Sequence, residues 1–312
     1  MEEIENKLKE ELGDELKQNV PLKNFSSLKV GGVADFFFIA KKVDDLVKSV
    51  SLAQSLNITY FILGGGYNIV PSDSGFAGIV IKNETSNIAF SGDTSQVIVD
   101  SGVRLGNLIN LAASRDLGGL EFLFGVPGTV GGALYGNAGA FNYEIGDFIR
   151  SVIVLVPKDG KMVIVKRGPE WAGFSYRSSK LKNEYKSEKF KPVVLTITLQ
   201  LVKRRRDEIL DLMQANLRKK KEAQPLDEVS AGSFFMNPKE NDCSAGVLLD
   251  KIGAKRMKVG GAGFSKKHAN FLINKKNATA TDVRKLAEKA KEEVVKKYGI
   301  DLQEEIEYVG RW

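Results

Sequence analysis

The chain has 312 residues and a mass of 34.3 kDa, about twice the size of an ordinary domain, so more than one core is expected. Hydrophobic residues at 43% and charged residues at 27% describe a folded globular protein, and no apolar run reaches the roughly 18 residues of a membrane span. A single cysteine, Cys243, and a single histidine, His268, exclude a disulfide framework and a zinc site of Cys and His, so no metal is expected.

In chain order, Ile4, Leu8, Leu12 and Leu16 recur every fourth residue, which predicts an amphipathic accessory helix within segment 1–19. That start is acidic and lacks the basic stretch, apolar core and small-residue cleavage site of an export signal; a cytoplasmic protein without membrane insertion is expected. Asp44 and Asp45 open a helix carrying Leu46, Val47, Val50, Leu52 and Ala53. A strand over 60–63 then runs into Gly64, Gly65 and Gly66, and a second follows at 78–81. Segment 20–82 reads as one α/β lobe.

A second lobe, 83–202, begins with a strand over 97–103 and a helix over 105–117. After a glycine-rich loop come a hairpin over 152–165, turning at Lys158, Asp159 and Gly160, and a β-branched run over 192–202. Segment 203–312 forms a third block, with a strand over 270–274 and a helix over 282–298 capped by Thr281 and Gly299. Antiparallel pairing of this kind points to an α+β fold rather than a doubly wound parallel sheet.

The net charge is +7, and its densest basic stretch is 203–221, where Lys203, Arg204, Arg205, Arg206, Arg218, Lys219, Lys220 and Lys221 alternate with acidic and apolar residues. A solvated helix explains such a run, and attraction of phosphorylated small molecules is the functional alternative. No nucleic-acid module is visible, so no nucleic-acid partner is expected.

Glycine, at 31 residues, is clustered. Glycines directly after a strand allow backbone N–H groups to face an anion, because no Cβ blocks the approach and positive φ is accessible. The loop Gly125-Val126-Pro127-Gly128-Thr129-Val130-Gly131-Gly132-Ala133 repeats that capability, and Asn137, Ala138 and Gly139 follow. Two such loops suit a diphosphate. Neither is a P-loop or a complete Rossmann fingerprint. A Cβ added at Gly65 or Gly131 is expected to weaken phosphate binding before it weakens folding.

These loops belong to a longer ordered set: Leu63 to Ile69, Gly119 to Phe122 with Gly125 to Gly132, Asn137 to Ala140, Tyr176-Arg177-Ser178-Ser179, Ala231 to Pro238, and Lys267-His268-Ala269-Asn270-Phe271. Together they resemble the UDP-N-acetylenolpyruvoylglucosamine reductase family over roughly 19–310. The short passage after Arg177 is similar to the family's second type. Tyr67, Pro71 and Met236 depart from the family's usual residues.

The resemblance implies a two-domain FAD-binding fold of the vanillyl-alcohol-oxidase type with a C-terminal α+β substrate domain. It implies an FAD enzyme that uses NADPH to reduce UDP-N-acetylglucosamine enolpyruvate to UDP-N-acetylmuramate in peptidoglycan synthesis. The flavin contacts it implies are Gly64, Gly65, Gly66, Tyr67, Asn68, Gly125, Pro127, Gly128, Thr129, Gly131, Gly132, Asn137 and Gly139. Because His268 and Cys243 lie outside the glycine loops, the FAD is expected to be non-covalent.

Hydride addition to an enolpyruvyl ether leaves negative charge beside a carboxylate, which calls for a cation and a proton. Matched to the family, Arg177 supplies the cation, Ser233 the proton, and Glu305 a carboxyl that works protonated or orients a neighbour; adjacent Glu304 leaves that match open. Tyr176, Lys221, Asn237 and His268 match substrate contacts. A flavin oxidase and a non-catalytic nucleotide-sugar binder are the other classes considered.

Overall fold

A computed structural model describes residues 2–185, 188–238 and 243–312. The chain forms two compact units: Met1–Gln18, Phe36–Gly65 and Gly78–Lys219 make the first, and Asn19–Asp35, Gly66–Ala77 and Lys220–Trp312 the second. Segments 19–35 and 66–77, which chain order groups with the first lobe, thus lie in the unit built mainly from the C-terminal block.

The first unit has two hydrophobic cores. One gathers Leu8 and Leu12 of helix Glu2–Leu12, Leu46 and Val50 of helix Val43–Ser55, and Ile79 and Ile81. Helix Val43–Ser55 starts where the paired aspartates predict, with Asp45 Oδ2 accepting the Lys42 N–H at 2.9 Å. Strand Tyr60–Leu63 pairs parallel with strand Phe76–Asn83, Tyr60 opposite Ile79 and Leu63 opposite Lys82. The Tyr60 hydroxyl donates to the Lys191 carbonyl, and burial pushes its pKa well up.

The other core lies against a five-stranded antiparallel sheet ordered Lys161–Arg167, Ile149–Lys158, Val193–Gln200, Gln96–Asp100 and Ile88–Phe90. The expected hairpin turns through Asp159 and Gly160, both at positive φ (48° and 76°), with Lys158 opposite Lys161. Pairing slips between Ile153 and Val154, leaving Leu195 unpaired as a bulge, so Val194 and Ile197 face one core while Val193 and Leu195 face the other. Burial on both faces explains the unbroken apolar run.

Two expectations for this region need correction. Helix Leu105–Ala113 ends four residues before 117, because Asp116 turns left-handed (φ 56°) and Leu117–Gly118 pairs antiparallel with Val202–Lys203. The strand expected over 97–103 is Gln96–Asp100.

In the second unit, helix Ala280–Tyr298 buries Val283, Leu286, Ala287, Ala290 and Val294 in a core shared with Phe234, Phe235, Leu248 and Leu302. Its cap is Thr279 rather than Thr281: Thr279 Oγ1 accepts the Asp282 N–H and Asp282 Oδ2 accepts the Thr279 N–H, each at 3.0 Å. The Thr281 hydroxyl donates instead to Asp73 Oδ2 at 2.7 Å. Gly299 closes the helix at φ 69°. Three short antiparallel strands, Lys258–Val259, Ala262–Phe264 and Leu272–Asn274, flank it, while Ile69–Pro71 pairs parallel with Glu307–Val309. Pro71 ends its strand, and its ring fills the space a Cβ of Gly31 would need, 2.7 Å from Pro71 Cβ.

Candidate active site

In the first unit the two glycine segments meet. A Cβ on Gly64 would stand 2.8 Å from Thr129 Oγ1, so glycine there lets the segments close on each other. Thr129 Oγ1 also accepts the Gly132 N–H at 3.1 Å. The Gly131 N–H donates to the Ser101 carbonyl at 2.8 Å and the Val130 N–H to Val103 at 2.9 Å. The Gly131–Gly132 pair is therefore committed to the fold, and the expectation that its N–H groups face an anion is corrected. A Cβ at Gly131 would strike Ser101 Cβ and O, both at 2.8 Å, so glycine there answers to packing.

The open part of that segment is its outer edge. Gly125 and Pro127 are exposed, and nothing lies within 4 Å of where a Cβ of Gly128 would point (φ 120°). This cradle at Gly128, beside Thr129 and Gly64, fits a flavin diphosphate approached by backbone. At the other segment the Lys82 ammonium, which the sequence reading missed, donates to the Gly64 carbonyl; burial, aided by Arg104, lowers its pKa. Its place directly after the strand expected over 78–81 was the available signal.

Asn137, Gly139, Tyr176 and Arg177 come together. Ser175 and Ser178 exchange backbone hydrogen bonds at 3.1 and 2.9 Å, placing Tyr176 and Arg177 at the tip of a tight turn with Arg177 left-handed at φ 54°. A non-glycine residue in that region costs about 1–3 kcal/mol, a strain often found at functional positions. Arg177 Nη2 donates to the Gly139 carbonyl at 2.7 Å, and its guanidinium lies 5.2 Å from the Tyr176 ring centre. Fully buried Asn137 gives its amide to Glu144 and to the Ser175 carbonyl (3.0 Å) and accepts the Gly146 N–H (3.1 Å). Its side chain braces the arginine turn.

In the second unit Gly66 is left-handed (φ 75°), and a Cβ there would overlap the Phe25 carbonyl at 1.8 Å. Tyr67 is exposed, and Asn68, also left-handed (φ 61°), donates its amide to the Glu305 carbonyl at 3.1 Å. Half-buried Ser233 precedes a rail held on both sides. The Phe234 N–H donates to the Asn270 carbonyl (2.8 Å), and the Phe234 carbonyl accepts the Glu305 N–H (2.8 Å). The Asn270 side chain takes the Phe235 N–H at 2.9 Å and gives to the Phe235 carbonyl at 2.8 Å, imitating a neighbouring strand. The Ser233 hydroxyl makes no hydrogen bond among the described residues.

His268 joins the same network. Its Nδ1 accepts the Asn270 N–H at 3.1 Å, which leaves Nε2 to carry the proton of the neutral ring. Burial first, then Lys255, lowers its pKa. Asn237 Oδ1 accepts the Ala245 N–H at 3.0 Å at the start of helix Ala245–Lys251, whose Gly246 leaves room for the His268 ring.

The expected glutamate pair divides. Glu304 bridges to Phe235, its carboxylate accepts from the Tyr308 hydroxyl at 3.2 Å, and burial raises its pKa. Lys221 is exposed, and its carbonyl accepts from the Lys267 ammonium. The buried lysine of that run is Lys220, 7% exposed, with its pKa lowered to about 8 by burial. Helical spacing from Ile209 and Met213 was the signal for it.

An FAD binding domain model matches residues 34–166, and a model of the UDP-N-acetylenolpyruvoylglucosamine reductase C-terminal domain matches 224–309. A UDP-N-acetylenolpyruvoylglucosamine reductase of Clostridium novyi (strain NT) is 40% identical over 298 residues, covering 95% of this chain and 93% of that protein. Another, from Anoxybacillus flavithermus, is 36% identical over the full length of both. The crystal structure of the enzyme from Thermus caldophilus superposes with a TM-score of 0.76 at 32% identity, covering 93% of this chain and 97% of that one. With such identity over nearly the whole length, the chain belongs to the UDP-N-acetylenolpyruvoylglucosamine reductase family.

Proposed function

We propose that this protein reduces the enolpyruvyl ether of UDP-N-acetylglucosamine enolpyruvate to UDP-N-acetylmuramate for peptidoglycan synthesis, with NADPH as reductant. FAD supplies the hydride-carrying chemistry when bound, and Gly64, Gly128 and Thr129 would hold it. We read it as non-covalent, since neither His268 nor Cys243 belongs to a glycine segment. A cytoplasmic location suits this substrate, and no helix among the described residues is long and apolar enough to cross a membrane.

In this reading Arg177 grips the substrate carboxylate, where its permanent charge offsets the negative charge that hydride addition creates. Tyr176 flanks that cation. Ser233 gives its proton to the carbon beside the carboxylate. A hydroxyl is a weak acid, but the carbanion it meets is a strong base. Glu305 works as a protonated acid or orients its neighbour, while Asn237, His268 and Lys221 contact the sugar nucleotide. The observation that carries the reading is the Ser233 residue, half-buried, its hydroxyl without a protein hydrogen bond among the described residues, next to Phe234, whose backbone is bonded to Asn270 and Glu305.

The test is spectroscopic. The purified protein should show a flavin band that NADPH bleaches without oxygen and that returns on adding the enolpyruvyl sugar nucleotide. A band that stays bleached would point to an oxidase, and one that NADPH leaves untouched would point to a non-catalytic binder.

A further inference from the structure

The first unit contains an open cleft of about 1090 Å³ lined by Phe90, Arg115, Leu117, Lys203, Arg204 and Arg206, among others. None of its lining residues is a flavin or substrate contact named above. It opens where helix Leu105–Ala113 ends, whereas the start of that helix carries the glycine segment: the Leu105 N–H donates to the Gly128 carbonyl at 3.0 Å. A helix rises about 1.5 Å per residue, so its two ends are roughly 13 Å apart.

Within the cleft some charges are matched and others are not. Arg204 Nη1 bonds Glu121 at 2.9 Å, and Arg205 pairs with Asp207 and lies 3.9 Å from Glu208. Asp116 Oδ1 accepts the Arg206 backbone N–H at 3.0 Å. Three cations have no carboxylate partner among the described residues. Arg115 lies over the Phe90 ring, 4.5 Å from its centre, and gives its other bond to the Leu111 carbonyl at 3.4 Å; Lys203 and Arg206 are the second and third. All three line the same cleft, where cations without a carboxylate partner add to a positive potential. A single carboxylate would answer one of them, whereas a chain of phosphates presents several charges within a few ångströms and suits guanidinium donors.

We propose that this cleft binds an oligophosphate anion through Arg115, Lys203 and Arg206, at a site that shares no residue with the flavin and sugar-nucleotide contacts. The phosphate chain could belong to free pyrophosphate or to a nucleotide, whose base would meet Phe90 and Leu117.

The test is calorimetric titration of the FAD-loaded enzyme, saturated with UDP-N-acetylmuramate to block the catalytic diphosphate site, with inorganic pyrophosphate and separately with ATP at low salt. Saturable binding near one per chain is expected, weakened roughly tenfold or more in the Lys203→Gln/Arg206→Gln double variant. A control that removes two exposed lysines elsewhere, Lys289→Gln/Lys296→Gln, should bind as the parent does. ATP binding tighter than pyrophosphate assigns the site to a nucleotide, and equal binding assigns it to the phosphate chain alone. Absence of saturable binding in the parent, or equal weakening in the control, would overturn the proposal.

Discussion

Asn68, next to the first glycine segment, donates its side-chain amide to the carbonyl of Glu305 at 3.1 Å, and the Glu307 N–H returns to the Asn68 carbonyl at 3.0 Å. Since the Glu305 N–H is bonded to the Phe234 carbonyl, one left-handed asparagine is tied, within the second unit, through Glu305 to the neighbour of Ser233.

Asn68→Ala should lose that hydrogen bond and also place an alanine at φ 61°, for a combined cost of about 1.5–3 kcal/mol. Asn68→Gly removes the same bond without the conformational strain and should recover about 1 kcal/mol of it. Urea denaturation of both variants decides the point; equal stability would mean that the left-handed backbone contributes nothing.

Ser233→Ala should separate the half-reactions. Bleaching by NADPH requires no proton at the sugar's carbon and should stay near the parent rate. Reoxidation by the enolpyruvyl substrate should slow by about 10²- to 10⁴-fold, the usual range for general acid catalysis. Stopped-flow absorbance follows each step, and equal slowing of both would remove Ser233 from the proton-donor role.

Gly131→Val should damage the fold itself, lowering the unfolding temperature of the flavin-free protein, because its side chain has only Ser101 to enter. Gly128→Ala meets open space, and its burden is the φ of 120° together with the loss of close approach by a phosphate. Flavin retention on gel filtration should therefore fall further in Gly128→Ala than its melting temperature suggests. Full flavin occupancy in that variant would remove Gly128 from the cradle.

Lys220 has a folded-state pKa of about 8 against an ordinary 10.5, lowered by burial. Between those values the unfolded chain binds more protons than the folded one, so this residue's contribution to stability rises with pH across that window. Below it, the folded state carries a buried charge. Lys220→Met should accordingly show a flatter rise of stability with pH between about 8 and 10.5 than the parent does. Chemical denaturation of both proteins at pH 8 and pH 10 measures this, and an equal change in the two would show that Lys220 titrates in the folded chain as it does in the unfolded one.

The sequence by itself determined what depends on near neighbours. Helix 43–55 was legible from its aspartates and apolar spacing, the hairpin from Asp159-Gly160, and the glycine segments and Arg177 itself from ordered motifs. Tertiary structure alone decided the rest. Glycines at 66 and 131 look like phosphate contacts in the sequence, yet packing against Phe25 and Ser101 explains them, because a backbone that must pass close to anything demands glycine. The end of helix Leu105–Ala113 turned on the pairing of Leu117 with Lys203, and the role of Thr281 on Asp73, more than 200 residues away, which takes its hydroxyl and N–H while Thr279 caps helix Ala280–Tyr298. Which lysine of 219–221 is buried, and which glutamate of 304 and 305 is bonded to Tyr308, were likewise fixed by partners distant in sequence. Local pattern records which side chains tend to be apolar or to turn the chain; which polar group finds a partner depends on contacts that only the folded chain makes.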